Sequence, residues 1–179
     1  CARWLPDLVS GRIIGAFALT ESDAGSDAGA IRTRARRVEG GWQLDGSKQF
    51  ITSGRIAGLA MVIAVSDPEA GRKGMSAFLV PTDTPGYRVD KIEHKLGQQA
   101  SDTCSLRFED CRIGDDALLG TAGRGYAIAL SNLESGRIGI AAQSVGMAQA
   151  ALEIAVNYAR DRRSFGKPII EHQAVGFRL

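Results

Sequence analysis

Residues 18–27 bring hydroxyl and carboxylate side chains together among small residues, in the order Ala-Leu-Thr-Glu-Ser-Asp-Ala-Gly-Ser-Asp. Small residues let a backbone approach a ligand closely, and exposed N–H groups with hydroxyls suit phosphate oxygens or ring heteroatoms. The same composition is also typical of a plain Asx-rich turn. Asp23 and Asp27 would repel a phosphate unless their carboxylates face away from it. The residues alone leave both interpretations open.

A second candidate segment is residues 50–54, Phe-Ile-Thr-Ser-Gly, at the end of a predicted strand. Its aromatic ring could form a wall against a flat ligand, with a hydroxyl donor at the ligand's edge. An aromatic side chain at a strand end can equally belong to the core. The segment therefore predicts either a core position or a ligand-facing position for Phe50.

Two further groups of residues lie where the sequence is predicted to be helical. Glu134 and Arg137 are three residues apart, so they could form a surface ion pair, or the arginine could hold a carboxylate or a ligand carbonyl. Arg162, Phe165 and Gln173 surround a predicted helix break, where a cation and an amide could bind a diphosphate. The alternative is that the arginine caps the end of the helix.

The glycine-rich residues 120–125 match neither GxGxxG nor the P-loop and follow no βαβ unit. We therefore expect them to form a flexible link into a helix. The sequence contains two histidines, and it shows neither a Ser/His/Asp order nor a His/Cys cluster. These observations predict no nucleophilic triad and no metal site.

The composition is that of a soluble globular protein, because 44% of the 179 residues are hydrophobic and 23% are charged. A net charge of +2 is too small to favour nucleic acid as a partner. Cys1, Cys104 and Cys111 have no CxxC spacing, which argues against a disulfide framework and favours a reducing compartment. The longest apolar stretch, residues 56–65, is too short to span a bilayer, so no membrane is expected.

The first two thirds of the sequence predict an antiparallel β-barrel or sandwich. Short apolar runs are separated by Gly, Pro and Asp turns at short spacing, and Asp45-Gly46 is a strong hairpin signal. The arginines at 32, 34 and 36 alternate, which places them on one solvated strand face. The predicted strands are residues 13–20, 31–38, 42–44, 48–52, 59–65, 75–80, 87–90 and 103–109.

From Gly123 onward the sequence predicts a helical hairpin that belongs to a helical bundle, so the fold class is α+β. Apolar residues recur at steps of three and four up to a stop near Gly166 and Pro168, and a second helix is predicted near Ile170. Such a hairpin cannot bury both faces alone, so its partners must lie in another subunit or in further sequence. The predicted domains are residues 1–12 as the tail of an upstream helical domain, with Pro6 and Gly11 as breakers, 13–118 as a β-domain and 123–179 as the start of a helical bundle.

The order and spacing of the short motifs, over nearly the whole chain, resemble those of acyl-CoA dehydrogenases. The motifs are Leu19-Thr20-Glu21, Ala24-Gly25-Ser26-Asp27, Leu44-Asp45-Gly46-Ser47-Lys48, Ile51-Thr52-Ser53-Gly54, Lys95-Leu96-Gly97, Ser101-Asp102-Thr103, Phe108-Glu109-Asp110, Gly136-Arg137-Ile138, Arg162 to Ile169, and His172-Gln173. The resemblance implies that the chain is an internal piece of such a protein, cut at both ends. It implies a β-domain between two helical domains, with an FAD cofactor bound between them.

The resemblance also implies roles for the segments singled out above. Phe17, Leu19 and Thr20 would line the flavin, with Thr20 hydrogen-bonded to its pyrimidine side. Residues Phe50, Ile51 and Thr52 would flank the isoalloxazine, with Thr52 near N5. Many relatives carry Trp at the first of these positions, so the aromatic contact is smaller here.

The remaining implied contacts involve the diphosphate, the substrate and a second subunit. Ser26 would reach the diphosphate region of FAD or the acyl-CoA, and Glu134 and Arg137 would touch the CoA side. Three more residues would hold the FAD of a neighbouring subunit: Arg162, Phe165 and Gln173. The expected assembly is therefore a homo-oligomer, either a dimer or a tetramer.

The implied reaction is the α,β-dehydrogenation of an acyl-CoA thioester in fatty acid metabolism, as in β-oxidation. An electron-transfer flavoprotein would be the electron acceptor, and the bacterial cytoplasm, or alternatively the mitochondrial matrix, the location. Three other interpretations are an acyl-CoA oxidase or flavin monooxygenase on the same fold, a non-catalytic family member such as a DNA-binding form, and a β-module without a ligand.

The catalytic base in this family is a glutamate. In most members it lies further towards the C-terminus, beyond residue 179, and in some it stands just before the matched arginine. That position is Gly136, which cannot act as a base. Glu134 is two residues away, about 200° around a helix, so it does not replace the missing group.

We predict that the 179-residue chain contains no catalytic base. The isolated polypeptide should therefore show no steady-state oxidation of an acyl-CoA in an assay with a dye as electron acceptor. Turnover at the rate of a complete acyl-CoA dehydrogenase would contradict this prediction.

Overall fold

The structure is a computed structural model that describes residues 3–179, so Cys1 lies outside the described residues. The chain divides into two compact units, one ending at Ser131 and the other beginning at Asn132. The first unit is dominated by an eight-stranded sheet and the second by helix. The predicted α+β class is confirmed.

The elements follow one another in a simple order. Helix α1 precedes eight strands, helix α2 starts in the first unit and continues into the second, and a small hairpin and one helical turn complete the second unit. Their bounds are α1 Leu5–Val9, β1 Gly15–Ala18, β2 Arg34–Val38, β3 Gly41–Thr52, β4 Leu59–Val65, β5 Met75–Pro81, β6 Tyr87–Ile92, β7 Thr103–Gly114, β8 Leu118–Leu119, α2 Gly125–Asp161, β9 Arg163–Ser164, β10 Lys167–Pro168 and α3 Gln173–Gly176.

The sheet of the first unit is mixed rather than purely antiparallel. Its strands lie in the order β6-β7-β3-β2-β4-β5-β8, and β1 pairs with β4 off this path. Most neighbours are antiparallel, but β1 runs parallel to β4, and β2 meets β4 in parallel at Arg34 and Val65. Parallel pairing needs long connections, and the intervening chain supplies them, because β2 and β3 lie between β1 and β4 in the sequence and β3 lies between β2 and β4.

The sheet curls so that its two halves pack on each other, as a barrel or sandwich requires. Trp42 on β3 and Phe78 on β5 lie on strands that do not pair, yet their ring centroids are 5.2 Å apart. The main core is the shared interior, and its buried residues come from β3 and β7 on one side and β4 and β5 on the other. The predicted architecture is therefore correct, because alternating apolar positions fill this interior.

Strands β4 and β5 are buried on both faces. Val62 and Phe78 point into the main core, whereas Ile63 and Ala77 belong to a second cluster on the opposite face. That second cluster also contains apolar side chains of the loop after β1, which are Leu19, Ala24, Ala28 and Ile31. The loop at residues 18–31 is therefore packed against the outer face of β4 and β5.

The Asp45-Gly46 pair does not form the predicted hairpin turn. It lies inside the 12-residue strand β3, where the register against β7 shifts between Leu44 and Gly46. The turn into β3 is at residues 39–40, where Gly40 has φ +74°. Asp45 instead accepts hydrogen bonds from the Asp110 backbone N–H at 2.8 Å and from Gln43, which stabilise the bulge.

Strand β6 forms an edge of the sheet, and its exposed side chains are largely charged. Arg107 on β7 pairs with Asp90 at 2.6 Å, and Lys91 pairs with Glu93 at 2.6 Å. Charges on an edge strand oppose pairing with another strand.

Two local expectations near the ends of the β-unit need correction. Pro6 does not break structure but occupies the first turn of α1, where its missing N–H has no helical partner to lose. The glycine-rich link is held by a specific contact, because the Gly123 N–H donates to Ser76 Oγ at 2.9 Å. A Cβ on Gly125 would lie 2.5 Å from the Ser76 backbone, so the link fits closely against β5.

The second unit contains most of α2 and the short segments that follow it. The helix continues to Asp161, where the predicted stop occurs, and β9 and β10 form a two-residue hairpin. The predicted second helical arm is short, with a 3-10 turn at Ile169–Glu171 and one turn of α3. By length and composition alone α2 could also cross a membrane, a test that the core helix of a soluble protein passes as well.

We predict that Gly46→Ala destabilises the β-unit by about 2–4 kcal/mol, because a Cβ would lie 2.7 Å from the Thr33 Cα at a φ of +145°. Urea unfolding followed by tryptophan fluorescence measures the loss. Gly97→Ala is the matched control, since nothing lies within 4 Å of its Cβ position. Equal stability of the two variants would contradict the role of the bulge.

Candidate functional site

The loop that follows β1 is anchored at several points along its length. Glu21 and Ala24 exchange two backbone hydrogen bonds of 3.1 Å, and Ala24 is buried in the second cluster. The Asp27 carboxylate accepts a hydrogen bond from the Gly29 N–H at 3.2 Å and starts a short 3-10 turn. The Asx-turn interpretation is therefore right for Asp27, whose carboxylate is occupied by the backbone.

The same loop is joined to β3 next to the second candidate segment. The Gln49 N–H donates to the Thr20 carbonyl oxygen at 2.8 Å, so Thr20 is held one residue away from Phe50. The loop and the end of β3, which the sequence offered as separate candidates, thus form one surface.

Phe50 is turned outward by an irregularity in β3. The register against β7 shifts between Lys48 and Ile51, and Phe50 adopts φ +58° with 58% of its surface exposed. A left-handed conformation costs a phenylalanine about 1–3 kcal/mol and persists where the surroundings enforce it. The core interpretation of Phe50 is therefore wrong, and the ring faces the surface.

The predicted contact residues differ in what they can offer a ligand. Ser26 and Thr52 are exposed, and Phe17 and Thr20 are half-buried. All four can therefore meet a ligand with their side chains.

Leu19 and Ile51 are placed differently. Their side chains are 6% and 2% exposed, because Leu19 belongs to the second cluster and Ile51 to the main core. Only backbone atoms of these two residues can contact a ligand, so their side chains support the site from below.

The sequence did not predict the buried ion pair beneath this surface. Lys48 Nζ lies 2.8 Å from Glu21 Oε1 and also donates to the Leu19 carbonyl oxygen at 2.9 Å. The Glu21 carboxylate further accepts the backbone N–H groups of Arg32 at 2.6 Å and Thr33 at 3.0 Å. The signal that could have found the pair is the alternation of β3, which places Lys48 on the inward face.

Both members of the pair have shifted pKa values. Burial lowers the pKa of Lys48 to about 8, and the nearby Glu21 carboxylate opposes that shift only in part. Burial alone would raise the pKa of Glu21. The Lys48 charge, together with hydrogen bonds from Lys48, Thr33 and Arg32, outweighs this effect and lowers the pKa below its usual value. Both groups are therefore charged at neutral pH.

The two described cysteines, Cys104 and Cys111, are buried free thiols on β7. Burial raises the pKa of Cys111 to about 11, which keeps it protonated and unreactive. Between residues 3 and 179, no three His, Cys, Asp or Glu side chains are grouped to hold a metal ion.

In the second unit, the segment after α2 presents Phe165 at the tip of a tight hairpin. Phe165 has φ +50° and is 96% exposed, while Arg163 closes the hairpin through the Gly166 carbonyl oxygen at 2.8 Å. Ser164 Oγ and His172 Nε2 are 2.9 Å apart, which ties the hairpin to the turn before α3. The side chains of Arg162 and Gln173 are exposed as well.

Glu134 and Arg137 are exposed on α2, and they do not form an ion pair with each other in the described part of the chain. The surface-pair interpretation is therefore wrong, and both side chains remain available to a ligand. Gly136 lies between them in the helix, with open space where a Cβ would be.

Comparison with known families identifies the class of protein. The family model described as acyl-CoA dehydrogenase, middle domain, matches residues 16–111, and the model described as acyl-CoA dehydrogenase, C-terminal domain, matches residues 123–179. The β-unit and the helical unit thus each match a domain of one family.

Individual relatives agree with the family models. The human mitochondrial short-chain specific acyl-CoA dehydrogenase is 49% identical over 176 residues, which are 98% of this chain and 43% of that protein. Butyryl-CoA dehydrogenase from Megasphaera elsdenii has the same fold, with a TM-score of 0.94 and 41% identity over 98% of this chain and 46% of the other. A glutaryl-CoA dehydrogenase from Mycobacterium smegmatis, in complex with FADH2, has a TM-score of 0.90 and 39% identity over 99% of this chain and 44% of the other.

The chain belongs to the acyl-CoA dehydrogenase family, and it spans less than half the length of the curated relatives that it matches. The resemblance found in the sequence motifs is confirmed.

We predict that Phe50→Gly leaves the stability of the β-unit within about 1 kcal/mol of the parent. Release of the left-handed strain is offset by the larger backbone entropy of glycine in the unfolded chain, and little apolar contact is lost because more than half of the Phe50 surface is exposed. Phe108→Ala is the control, because that ring is 1% exposed and its loss should cost about 3–5 kcal/mol in urea unfolding. A loss of that size at Phe50 would show that its ring serves the fold instead of a ligand.

Proposed function

We propose that the complete protein containing this chain is an FAD-dependent acyl-CoA dehydrogenase that oxidises an acyl-CoA thioester at its α and β carbons. Family membership supports the class of reaction. The observation that carries the proposal is the outward, strained ring of Phe50, held beside Thr20 by the Gln49 hydrogen bond. Strain of this kind is found where function requires a particular geometry.

The residues at this surface fit a flavin. An exposed aromatic ring can pack against a planar tricyclic system, and threonine hydroxyls can donate to or accept from its ring heteroatoms. Phe50 supplies the ring, while Thr20 and Thr52 supply hydroxyls on either side of it in the joined loop and strand. FADH2 in a related glutaryl-CoA dehydrogenase supports the choice of cofactor.

Each residue of the β-unit then has a separate task. Thr20 hydrogen-bonds the pyrimidine side of the ring, and Thr52 does so near N5. Phe50 packs against the isoalloxazine and keeps water from it, with Phe17 at the edge. Ser26, at the exposed end of the loop, reaches the diphosphate or the acyl-CoA. A flavin bound here supplies the two-electron acceptor for the hydride that leaves the β-carbon.

The helical unit is proposed to serve the substrate and a second subunit. Glu134 and Arg137 would contact the CoA portion of the substrate, since both are exposed and unpaired with each other. The hairpin residues Arg162 and Phe165, with Gln173, would hold the FAD of a neighbouring copy. The exposed cation and ring suit a diphosphate and an adenine, and this arrangement implies a homodimer or homotetramer.

The wider assignments follow the same proposal. Residues 13–118 act as the middle β-domain and residues 123–179 as the start of the C-terminal helical domain. The base that takes the α-proton is supplied from outside this chain, and an electron-transfer flavoprotein accepts the electrons. Relatives named for short-chain and butyryl substrates make butyryl-CoA the first substrate to test. Both bacterial and mitochondrial relatives occur, which accords with either expected location.

The complete protein should purify with a flavin absorbance spectrum, and anaerobic addition of butyryl-CoA should bleach it. Bleaching reports transfer of electrons from the substrate to the bound flavin. Reoxidation by an electron-transfer flavoprotein, with little peroxide formed in air, would support a dehydrogenase over an oxidase. A colourless protein that takes up no added FAD would overturn the proposal.

We predict that Thr20→Val in the complete protein weakens FAD binding about 3- to 10-fold, because one hydrogen bond is lost at an otherwise unchanged shape. Equilibrium titration of the apoprotein with FAD, followed by flavin fluorescence, measures the change. Thr121→Val, at an exposed position in the link before α2, is the matched control and should bind FAD as the parent does. Equal affinities for the two variants would remove Thr20 from the flavin site.

A further inference from the structure

The ion pair between Glu21 and Lys48 lies directly beneath the proposed flavin surface. Glu21 follows Thr20 in the loop, and Lys48 precedes Phe50 by two residues in β3. The Lys48 side chain is fully buried, and that of Glu21 is 9% exposed. Neither side chain can reach a ligand at the surface, so their effect on a ligand must be indirect.

The pair joins three separate stretches of backbone at one point. Lys48 donates to the carbonyl oxygen of Leu19 and to the Glu21 carboxylate, which binds β3 to the loop. Glu21 accepts the N–H groups of residues 32 and 33, which binds the start of the loop to the residues that lead into β2. Thr33 Oγ1 links the residues before β2 back to β3 by donating a hydrogen bond to the Ser47 carbonyl oxygen at 3.1 Å.

The pair also sits between the two groups that are proposed to meet the flavin. The Gln49 N–H holds the Thr20 carbonyl oxygen, so this contact lies between Lys48 and Phe50 in the strand. The register shift that turns Phe50 outward begins immediately after Lys48. A displacement of Lys48 would therefore move the Thr20 backbone and the Phe50 ring relative to each other.

Charge is an unusual choice for a position that only needs packing. A buried ion pair is often replaceable by apolar groups without loss of stability, whereas its geometry is directional and fixes a register. Leu19 and Ala24 already anchor the loop by apolar contacts in the second cluster. The loop would therefore stay attached without the ion pair, and the pair fixes its position more narrowly.

We propose that Glu21 and Lys48 are positioning residues that set the spacing between Thr20 and Phe50 at the flavin ring. This inference rests on the proposed function, because it needs a flavin at that surface. It assigns to the buried pair the relative placement of the hydroxyl and the aromatic wall, while the core of the β-unit supplies the stability.

The test uses the complete protein and separates position from stability. Lys48→Met leaves the Glu21 charge buried alone, so the melting temperature of the apoprotein and the FAD affinity should both fall. The double variant Glu21→Gln/Lys48→Met removes both charges at nearly constant volume, and it should regain most of the melting temperature. Its FAD affinity should remain at least 10-fold below that of the parent, with a shifted flavin absorbance spectrum.

A second variant covers the case in which the double variant does not fold. Glu21→Asp keeps the charge but withdraws the carboxylate by one methylene, so the loop must move to keep the contact with Lys48. It should bind FAD more weakly and change the flavin spectrum while the apoprotein remains folded. The control is Asp90→Asn/Arg107→Gln, which removes an exposed pair on β6 and β7 and should leave FAD binding unchanged.

Parental FAD affinity and spectrum in a folded double variant, or in Glu21→Asp, would overturn the inference and assign the pair a structural role. In that case the flavin-loaded parent would still support the proposed function. A parent protein that binds no flavin would instead overturn the proposed function, and this inference with it.

Discussion

The curl of the sheet is the constraint on which the β-unit depends. Strands β3 and β7 must fold over β4 and β5 for the Trp42 and Phe78 rings to meet, and this closure creates the main core. Because β4 and β5 are then buried on both faces, the opposite face needs its own cover, and the loop after β1 provides it. The loop that forms half of the proposed site is thus also a layer of the fold. A ligand-facing loop of this kind need not be mobile, since its apolar side chains are committed to the sheet below.

Most of the architecture was predictable because it follows from local patterns. The runs at β4, β5 and β6 and the length of α2 match their predicted positions closely, since alternation and three- or four-residue steps are properties of the sequence itself. The failure at Asp45-Gly46 has a physical reason. A glycine that supplies a positive φ in a two-residue turn supplies it equally in a bulge, and only the pairing with β7 decides between them. Parallel pairing of β1 with β4 was also beyond local patterns, because it depends on contacts distant in sequence.

The residues that could contact a ligand were predictable from the sequence, but the buried contacts that hold them in place were not. Thr20, Ser26, Phe50 and Thr52 were identified from motifs, and the structure leaves each of them able to meet a ligand. By contrast, Leu19 and Ile51 belong to the same motifs but point inward, because adjacent residues in an extended chain face opposite sides. The Glu21–Lys48 pair was missed because charged residues in a loop and on a strand suggest solvent. The alternation of β3 places Lys48 inward, but its partner in the loop is identified only when the two segments are brought together.

The charged edge at β6 has a consequence for how copies of the protein can associate. A strand from a second molecule would have to pair along an edge where Asp90 is paired with Arg107 and Lys91 with Glu93, and it would desolvate those charges on docking. Growth of the sheet across molecules, the usual first step towards fibrous aggregates, is therefore disfavoured at this edge. The apolar side chains that α2 exposes, among them Ile138, Val145 and Ile154, carry no such penalty, because covering them removes no charge from water.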